Sequence, residues 1–317
     1  MGLTNQSTGI RALEQELKIE RATPNDKIIA LAGNPNVGKS TVFNSLTGLN
    51  QHTGNWPGKT VTNAQGRYRH KDKNFILVDL PGTYSLMANS VEEEVARDFV
   101  CFADPDATVI VADATCLERN LNLVLQTLEI TGRAVVCVNL IDEAKRKRIR
   151  VDLQALSEQL GVPVVGTNAR KGEGLDELMD AVHAVSQRPD TTPIRIDYDE
   201  TVEQAVAAVE LAVGTALQGR LSARWVALKL IDEDQKLLAA MKKYLGFDLM
   251  DRPEVTAAVG EVQEMLRKAD IGPEALRDRI VSRIVRRAEQ ICRQAVTFEN
   301  DKYNQTDRRI DKILTSK

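Results

Sequence analysis

The stretch Gly33-Asn34-Pro35-Asn36-Val37-Gly38-Lys39-Ser40 fits G-x-x-x-x-G-K-[ST], a phosphate-binding loop. Its surroundings decide how it is read. An apolar run, Ile28-Ile29-Ala30-Leu31-Ala32, precedes it and reads as a buried strand, and Val42, Phe43 and Leu46 follow at helical spacing. Strand, glycine-rich turn and helix are therefore in register. Gly33 and Gly38 let the backbone turn tightly and present N–H groups to phosphate oxygens. The following helix aims the positive end of its dipole at the same anion. Lys39 is expected at the β- and γ-phosphates, and Ser40 on Mg²⁺. The expected phosphate-binding set runs through Gly33, Asn34, Pro35, Asn36, Val37, Gly38, Lys39, Ser40 and Thr41.

A phosphate loop alone does not separate GTP from ATP; the later motifs do. Asp79-Leu80-Pro81-Gly82 closes a second apolar strand, Phe75-Ile76-Leu77-Val78. An aspartate there is expected to hold Mg²⁺, and the Gly82 N–H to sense the γ-phosphate. A third strand, Ala134-Val135-Val136-Cys137-Val138, leads into Asn139-Leu140-Ile141-Asp142. Ligands of parallel sheets bind at this edge. The Asp142 carboxylate can accept from N1–H and the 2-amino group of guanine, a donor pair that adenine lacks. Leu140 replaces the lysine usual in this motif, which predicts weaker affinity with selectivity kept. A last strand, Pro163-Val164-Val165, ends in Gly166-Thr167-Asn168-Ala169-Arg170-Lys171-Gly172 before a helix over 175–185. Thr167, Asn168 and Ala169 are expected beside the base, with the Ala169 N–H on the guanine oxygen.

With these motifs, three further stretches resemble the cytosolic GTPase region of the bacterial ferrous iron transport protein B family. They are Asn55-Trp56-Pro57-Gly58-Lys59-Thr60-Val61, Asp79-Leu80-Pro81-Gly82-Thr83-Tyr84-Ser85-Leu86 and Val111-Ala112-Asp113-Ala114-Thr115-Cys116-Leu117-Glu118-Arg119-Asn120-Leu121. The resemblance covers about residues 27 to 317. It implies a Ras-like P-loop GTPase fold of class α/β, with a mostly parallel six-stranded sheet, followed by a small all-α domain. It implies that Thr60 ligates Mg²⁺ once GTP is bound, and that Asn36 helps hold a K⁺ ion. Such a cation would stabilise transition-state charge in place of an arginine finger. Lys59 stands where the family has a small apolar residue, and Asn168 where it has serine. Thr83 occupies the position of the water-orienting glutamine of signalling GTPases, so no general base is nominated. The catalytic set is Lys39, Asn36, Thr60 and Gly82, and turnover should be slow.

Composition agrees with an ordinary globular chain. Of 317 residues, 43 % are hydrophobic and 27 % charged, and the net charge of −3 gives no argument for nucleic acid. The four cysteines show no metal or disulfide spacing, and His52, His70 and His183 are scattered, so no iron site is expected. No apolar run approaches the ~18 residues of a membrane helix.

The pattern predicts three regions: a helical extension over 1–26, a GTP-binding domain over 27–188 and a helical domain over 189–317. Ile10, Leu13 and Leu17 mark the first, and Pro189 to Pro193 the hinge. Residues 60–70 should be the one antiparallel strand. Val202, Val206, Val209 and Val213, then Val255, Val259, Val262 and Leu266, recur at helical spacing, and Leu276 to Ile291 reads as a long last helix. Four or five helices are expected. The basic run over 145–150 is read as a solvated loop, with anionic lipid or a partner domain as the other reading. Arg308, Arg309, Lys312 and Lys317 suit a cytoplasmic flank of a membrane helix.

The function expected is a GTP switch regulating Fe(II) uptake, at the cytoplasmic side of the bacterial cell membrane. Its expected partner is a C-terminal transmembrane domain of the same full-length protein, with a homo-oligomer plausible from the family. The alternatives are a stand-alone soluble GTPase and a nucleotide-binding module without turnover.

Overall fold

The first strand, β1 (Lys27–Gly33), is apolar along almost its whole length because both of its faces are covered. Alternate side chains serve opposite layers. Ile29 and Leu31 enter one core with Val42, Phe43 and Leu46. Ile28 and Ala30 enter the other, with Phe99, Leu121 and Val124. The computed structural model describes residues 19, 21, 23, 25–48, 51–56, 59–87, 90–187 and 195–298. The expected first helix (Ile10, Leu13, Leu17), the hinge over 189–193 and the basic run from Arg308 lie outside them.

After β1 come α1 (Lys39–Thr47), β2 (Gln51–Asn55), β3 (Thr62–His70) and β4 (Lys73–Asp79). Next are α2 (Val91–Phe102), β5 (Ala107–Asp113), α3 (Leu117–Ile130), β6 (Ala134–Asn139) and α4 (Ile141–Arg146). The series continues with β7 (Ile149–Val151), α5 (Leu153–Leu160), β8 (Val164–Gly166) and α6 (Leu175–Ser186). Helices α7 (Glu200–Leu217), α8 (Ala223–Ile231), α9 (Gln235–Leu245), α10 (Pro253–Lys268) and α11 (Pro273–Ala295) follow, and β9 (Val296–Phe298) ends the described chain.

The main sheet has order β2-β3-β4-β1-β5-β6-β8, seven strands rather than the six expected. The additional strand is β2, whose polar sequence QHTGN and exposed side chains give no strand signal; it adds to the edge by pairing Gln51 with Gly66 and Asn55 with Thr62. Strand β3 alone runs against the others, since it is antiparallel to both β2 and β4. The β2–β3 hairpin tip therefore lies at the same edge as Asp79, which pairs with Ala64.

Five α-helices follow residue 198 among the described residues. Their apolar faces are the valine and leucine series that the periodicity marks. They share one continuous core with the α2–α3 face of the sheet. Helix α11 is stitched back to the sheet region. Asp152 N donates to Ala295 O at 2.7 Å, and β9 pairs antiparallel with β7. The basic run over 145–150 is thus the end of α4 and the start of a two-stranded ribbon, not a loop; its Lys145, Arg146, Lys147, Arg148 and Arg150 are exposed. No helix of the described residues is long and apolar enough to cross a membrane.

Candidate nucleotide site

Each expected motif sits at the C-terminal edge of the sheet. The loop after β1 is held open by two backbone positions of positive φ, Asn36 at 67° and Gly38 at 82°. A Cβ on Gly38 would stand 2.4 Å from Asn139 Nδ2, so both conformation and neighbour require glycine. On Gly33 a Cβ would meet the Val111 carbonyl at 2.7 Å. Gly38 is the residue before α1, so the first free N–H groups of that helix point out of the loop.

Lys39 and Asp79 form a direct ion pair, with the lysine nearly buried. Burial raises the Asp79 carboxyl above its ordinary range, and the Lys39 charge opposes that rise. Main-chain bonds fix the Asp79 loop to the phosphate loop. Leu80 N donates to Leu31 O at 3.0 Å and Thr83 N to Gly33 O at 3.2 Å. Gly82 stacks on Pro35, where a Cβ would be 3.4 Å from the proline Cα. Thr83 is buried, and its hydroxyl is turned into its own loop, donating to Ser85 O and accepting from Ser85 N at 3.0 Å. It is not placed to orient water.

Asn139 is 1 % exposed and organises the base end. Its Nδ2 donates to Val37 O at 3.1 Å. Its Oδ1 accepts from the Thr167 hydroxyl at 3.1 Å and from Ala169 N at 3.1 Å. The Ala169 N–H is spent on Asn139, because a buried amide oxygen takes the donors nearest to it. Thr167, 1 % exposed, and Asn168, 5 % exposed, frame the site from behind. The Asn168 amide donates to Glu173 Oε2 at 3.2 Å, and its backbone closes a bridge to the same residue. Asp142 stays half-exposed in the first turn of α4, with the Lys171 ammonium 4.0 Å away. The sequence reading did not single out Lys171. Leu140, in the place of the usual lysine, has φ of 63° and opens α4.

Thr60 is exposed just before β3, at the tip of the hairpin. Trp56, in the same hairpin, is 5 % exposed. Its ring meets Phe99 edge-on at 5.6 Å, and its Nε1 donates to Thr62 O at 3.1 Å. An indole buries a large apolar area once its N–H finds a partner. Thiol chemistry is not available nearby. Burial pushes Cys137 up to about 12 and Cys116 up to about 11. No group of three or more His, Cys, Asp or Glu among the described residues is placed to hold a metal.

The donor set fits a magnesium nucleotide. Ser40 and Asp79 offer the hard oxygens that Mg²⁺ prefers. Asn34, 3 % exposed, has both side-chain polar atoms without a hydrogen bond, an unsatisfied pair inside the loop itself. A mostly parallel sheet with this loop, the aspartate–glycine turn and the Asn139–Asp142 pair at one edge defines a P-loop G domain, here joined to a helical bundle.

Sequence models narrow the class. The family described as ferrous iron transport protein B matches residues 27–182, and its cytosolic helical domain matches residues 198–297. The chain belongs to this family. A fusion protein of Fe(2+) transport protein A and Fe(2+) transporter FeoB from Porphyromonas gingivalis is 39 % identical over 251 residues, covering 77 % of this chain and 29 % of its own length. The Fe(2+) transporter FeoB of Methanocaldococcus jannaschii is 34 % identical over 258 residues, covering 81 % and 38 %. The chain thus spans well under half the length of these curated relatives. Among solved structures, the cytosolic domain of the T. maritima FeoB iron transporter in its GMPPNP form is 33 % identical with a TM-score of 0.70, covering 86 % of this chain and 99 % of its own.

Proposed function

We propose that this chain is the GTP-binding and GTP-hydrolysing cytosolic part of a ferrous iron transporter, a nucleotide switch that regulates Fe(II) uptake. The observation that carries it is the Asn139 side chain, which joins the phosphate loop to the base end while Asp142 stays accessible. The GMPPNP form of the T. maritima neighbour supports the nucleotide. Ser40, Thr60 and Asp79 would hold Mg²⁺, which neutralises phosphate charge. Lys39 leaves its carboxylate partner to bind the β- and γ-phosphates. Asn36, exposed on the loop, would help hold K⁺.

Positioning and charge stabilisation carry this chemistry, so turnover is slow. A G domain over 27–188 would carry the switch, and a helical domain over 189–317 would relay it. A transmembrane domain of the same protein is the partner, at the cytoplasmic face of the membrane. Single-turnover GTP hydrolysis tests the reading, with Lys39→Ala as the inactive control. Activity that survives Lys39→Ala would refute it. Faster hydrolysis in K⁺ than in Na⁺, lost in Asn36→Ala, is the result expected for the cation role; equal rates would refute that role.

A further inference from the structure

Helix α2 stands between the switch hairpin and the helical domain and binds both by charge. On the hairpin side, Lys59 Nζ donates to Glu94 Oε2 at 2.7 Å. On the other, Lys236 Nζ, from the first turn of α9, donates to Glu94 Oε1 at 2.6 Å. Glu94 is 14 % exposed, and each of its oxygens takes one ammonium. A second pair lies one turn along. Arg97, 2 % exposed, donates to Asp234 Oδ2 at 3.2 Å, and Asp234 also caps α9 by accepting from Leu237 N at 3.1 Å. The hairpin is further seated on α2 by the Trp56–Phe99 ring contact. The start of α9 and the residue beside Thr60 are therefore held by one carboxylate.

We propose that Glu94 is a positioning residue that couples the placement of Thr60 to the docking of α9, so that the helical domain senses which nucleotide is bound. This rests on the GTPase reading above. With the clamp made, Thr60 is exposed. Drawing its hydroxyl to Mg²⁺ beside Ser40 pulls Lys59, its chain neighbour, off Glu94. The Lys59 arm thus favours the GDP-bound arrangement; because two ammoniums share one carboxylate, freeing Lys59 leaves Lys236 as the sole counter-ion of Glu94, and reciprocity requires GTP to tighten the docking of α9. A sequence scan does not reveal this device, because the three residues lie on three separate elements.

The test measures GMPPNP and GDP affinities of the full chain with Lys236→Ala, Glu94→Gln and the double variant. Lys236 is 71 % exposed and belongs to the helical domain, so its loss leaves the nucleotide site itself intact. The expected result is about two- to fivefold weaker GMPPNP binding in Lys236→Ala, where Glu94 holds Lys59 alone, with GDP binding unchanged, the range of a partly exposed ion pair. In the Glu94→Gln background Lys236→Ala should add nothing, and the effect should shrink in molar salt as screening shortens to ~3 Å. An unchanged ratio of the two affinities, equal changes for both nucleotides, or the same effect without Glu94 would overturn the coupling. A wild-type chain that binds neither nucleotide would overturn the GTPase reading as well.

Discussion

The Asn139 amide donates to the carbonyl of Val37, 3.1 Å away, so the end of β6 supports the middle of the phosphate loop. The same side chain accepts from Thr167 and Ala169, which makes it the hub of the base end. Asn139→Ala leaves a buried carbonyl, hydroxyl and N–H without their partner, at about 1–3 kcal/mol for each group that stays unsatisfied. Fluorescent-GDP titration should show at least about a thirtyfold loss of affinity, roughly 2 kcal/mol, and the melting temperature should fall by several degrees.

Gly38→Ala should abolish nucleotide binding while leaving the far-UV circular dichroism intact. Its Cβ would meet Asn139 Nδ2 at 2.4 Å, on a backbone of φ 82°. Gly172→Ala provides the comparison, because Gly172 has φ of 76° but nothing within 4 Å of its Cβ. That variant carries the left-handed strain alone, about 1 kcal/mol, and should still bind GDP. Loss of binding in both would assign the requirement to backbone strain and not to the approach of Asn139.

Much of this site is legible in the sequence because local rules and the site coincide. The run before Gly33, the positive-φ glycine at 38 and the aspartates closing β4 and following β6 each leave a compact signature. The features that the sequence does not show are non-local. The polar edge strand 51–55 forms only because β3 offers it unpaired backbone groups. Trp56 is buried by Phe99, 43 positions along the chain. Ala169 N–H is claimed by Asn139, 30 positions back. None of these partners is visible from the residue alone.

Asp142→Asn should exchange guanine for xanthine selectivity. The carboxylate can accept from two adjacent donors of guanine, whereas an amide offers one acceptor and one donor, which suits xanthine. GTP affinity should fall by about a hundredfold, near 3 kcal/mol, and XTP should compete with GDP where it did not before. Competition titrations with GTP, ATP and XTP decide this. Unchanged GTP affinity would remove Asp142 from the base site.

Trp56 reports the hairpin. In a Trp225→Phe background its emission should be that of a buried indole, and GMPPNP with Mg²⁺ should shift it as the hairpin moves on α2. Trp225 must be replaced because it too is only 5 % exposed. An identical spectrum with GDP and with GMPPNP would mean that the hairpin keeps its seat on Phe99 in both states.

Glu129 makes the contact between α3 and the segment entering α7 sensitive to pH. Tyr198 donates its hydroxyl to Glu129 Oε1 at 2.6 Å. Burial pushes the Glu129 carboxyl from an ordinary 4.5 up to about 7, while the Tyr198 hydrogen bond and the Lys229 and Arg224 charges pull it down and Glu203 pushes it up. The folded state therefore binds this proton more tightly than the unfolded chain does. The resulting stability is fully present below about pH 4.5 and is lost as pH rises through about 7. Glu129→Gln, neutral at every pH, keeps an acceptor for Tyr198 and never has to bury a charge. At pH 8 it should be more stable than wild type by roughly 2–3 kcal/mol, and at pH 5 the difference should shrink to below about 1 kcal/mol. Tyr198→Phe, which removes the strongest of the lowering interactions, should push the wild-type loss to lower stability at pH 8 without moving the pH 5 value as far. Paired melting curves from pH 5 to 8 decide it. A difference between wild type and Glu129→Gln that does not change across that range would mean that the carboxylate is already charged throughout, stabilised by Arg224 and Lys229 in spite of its burial.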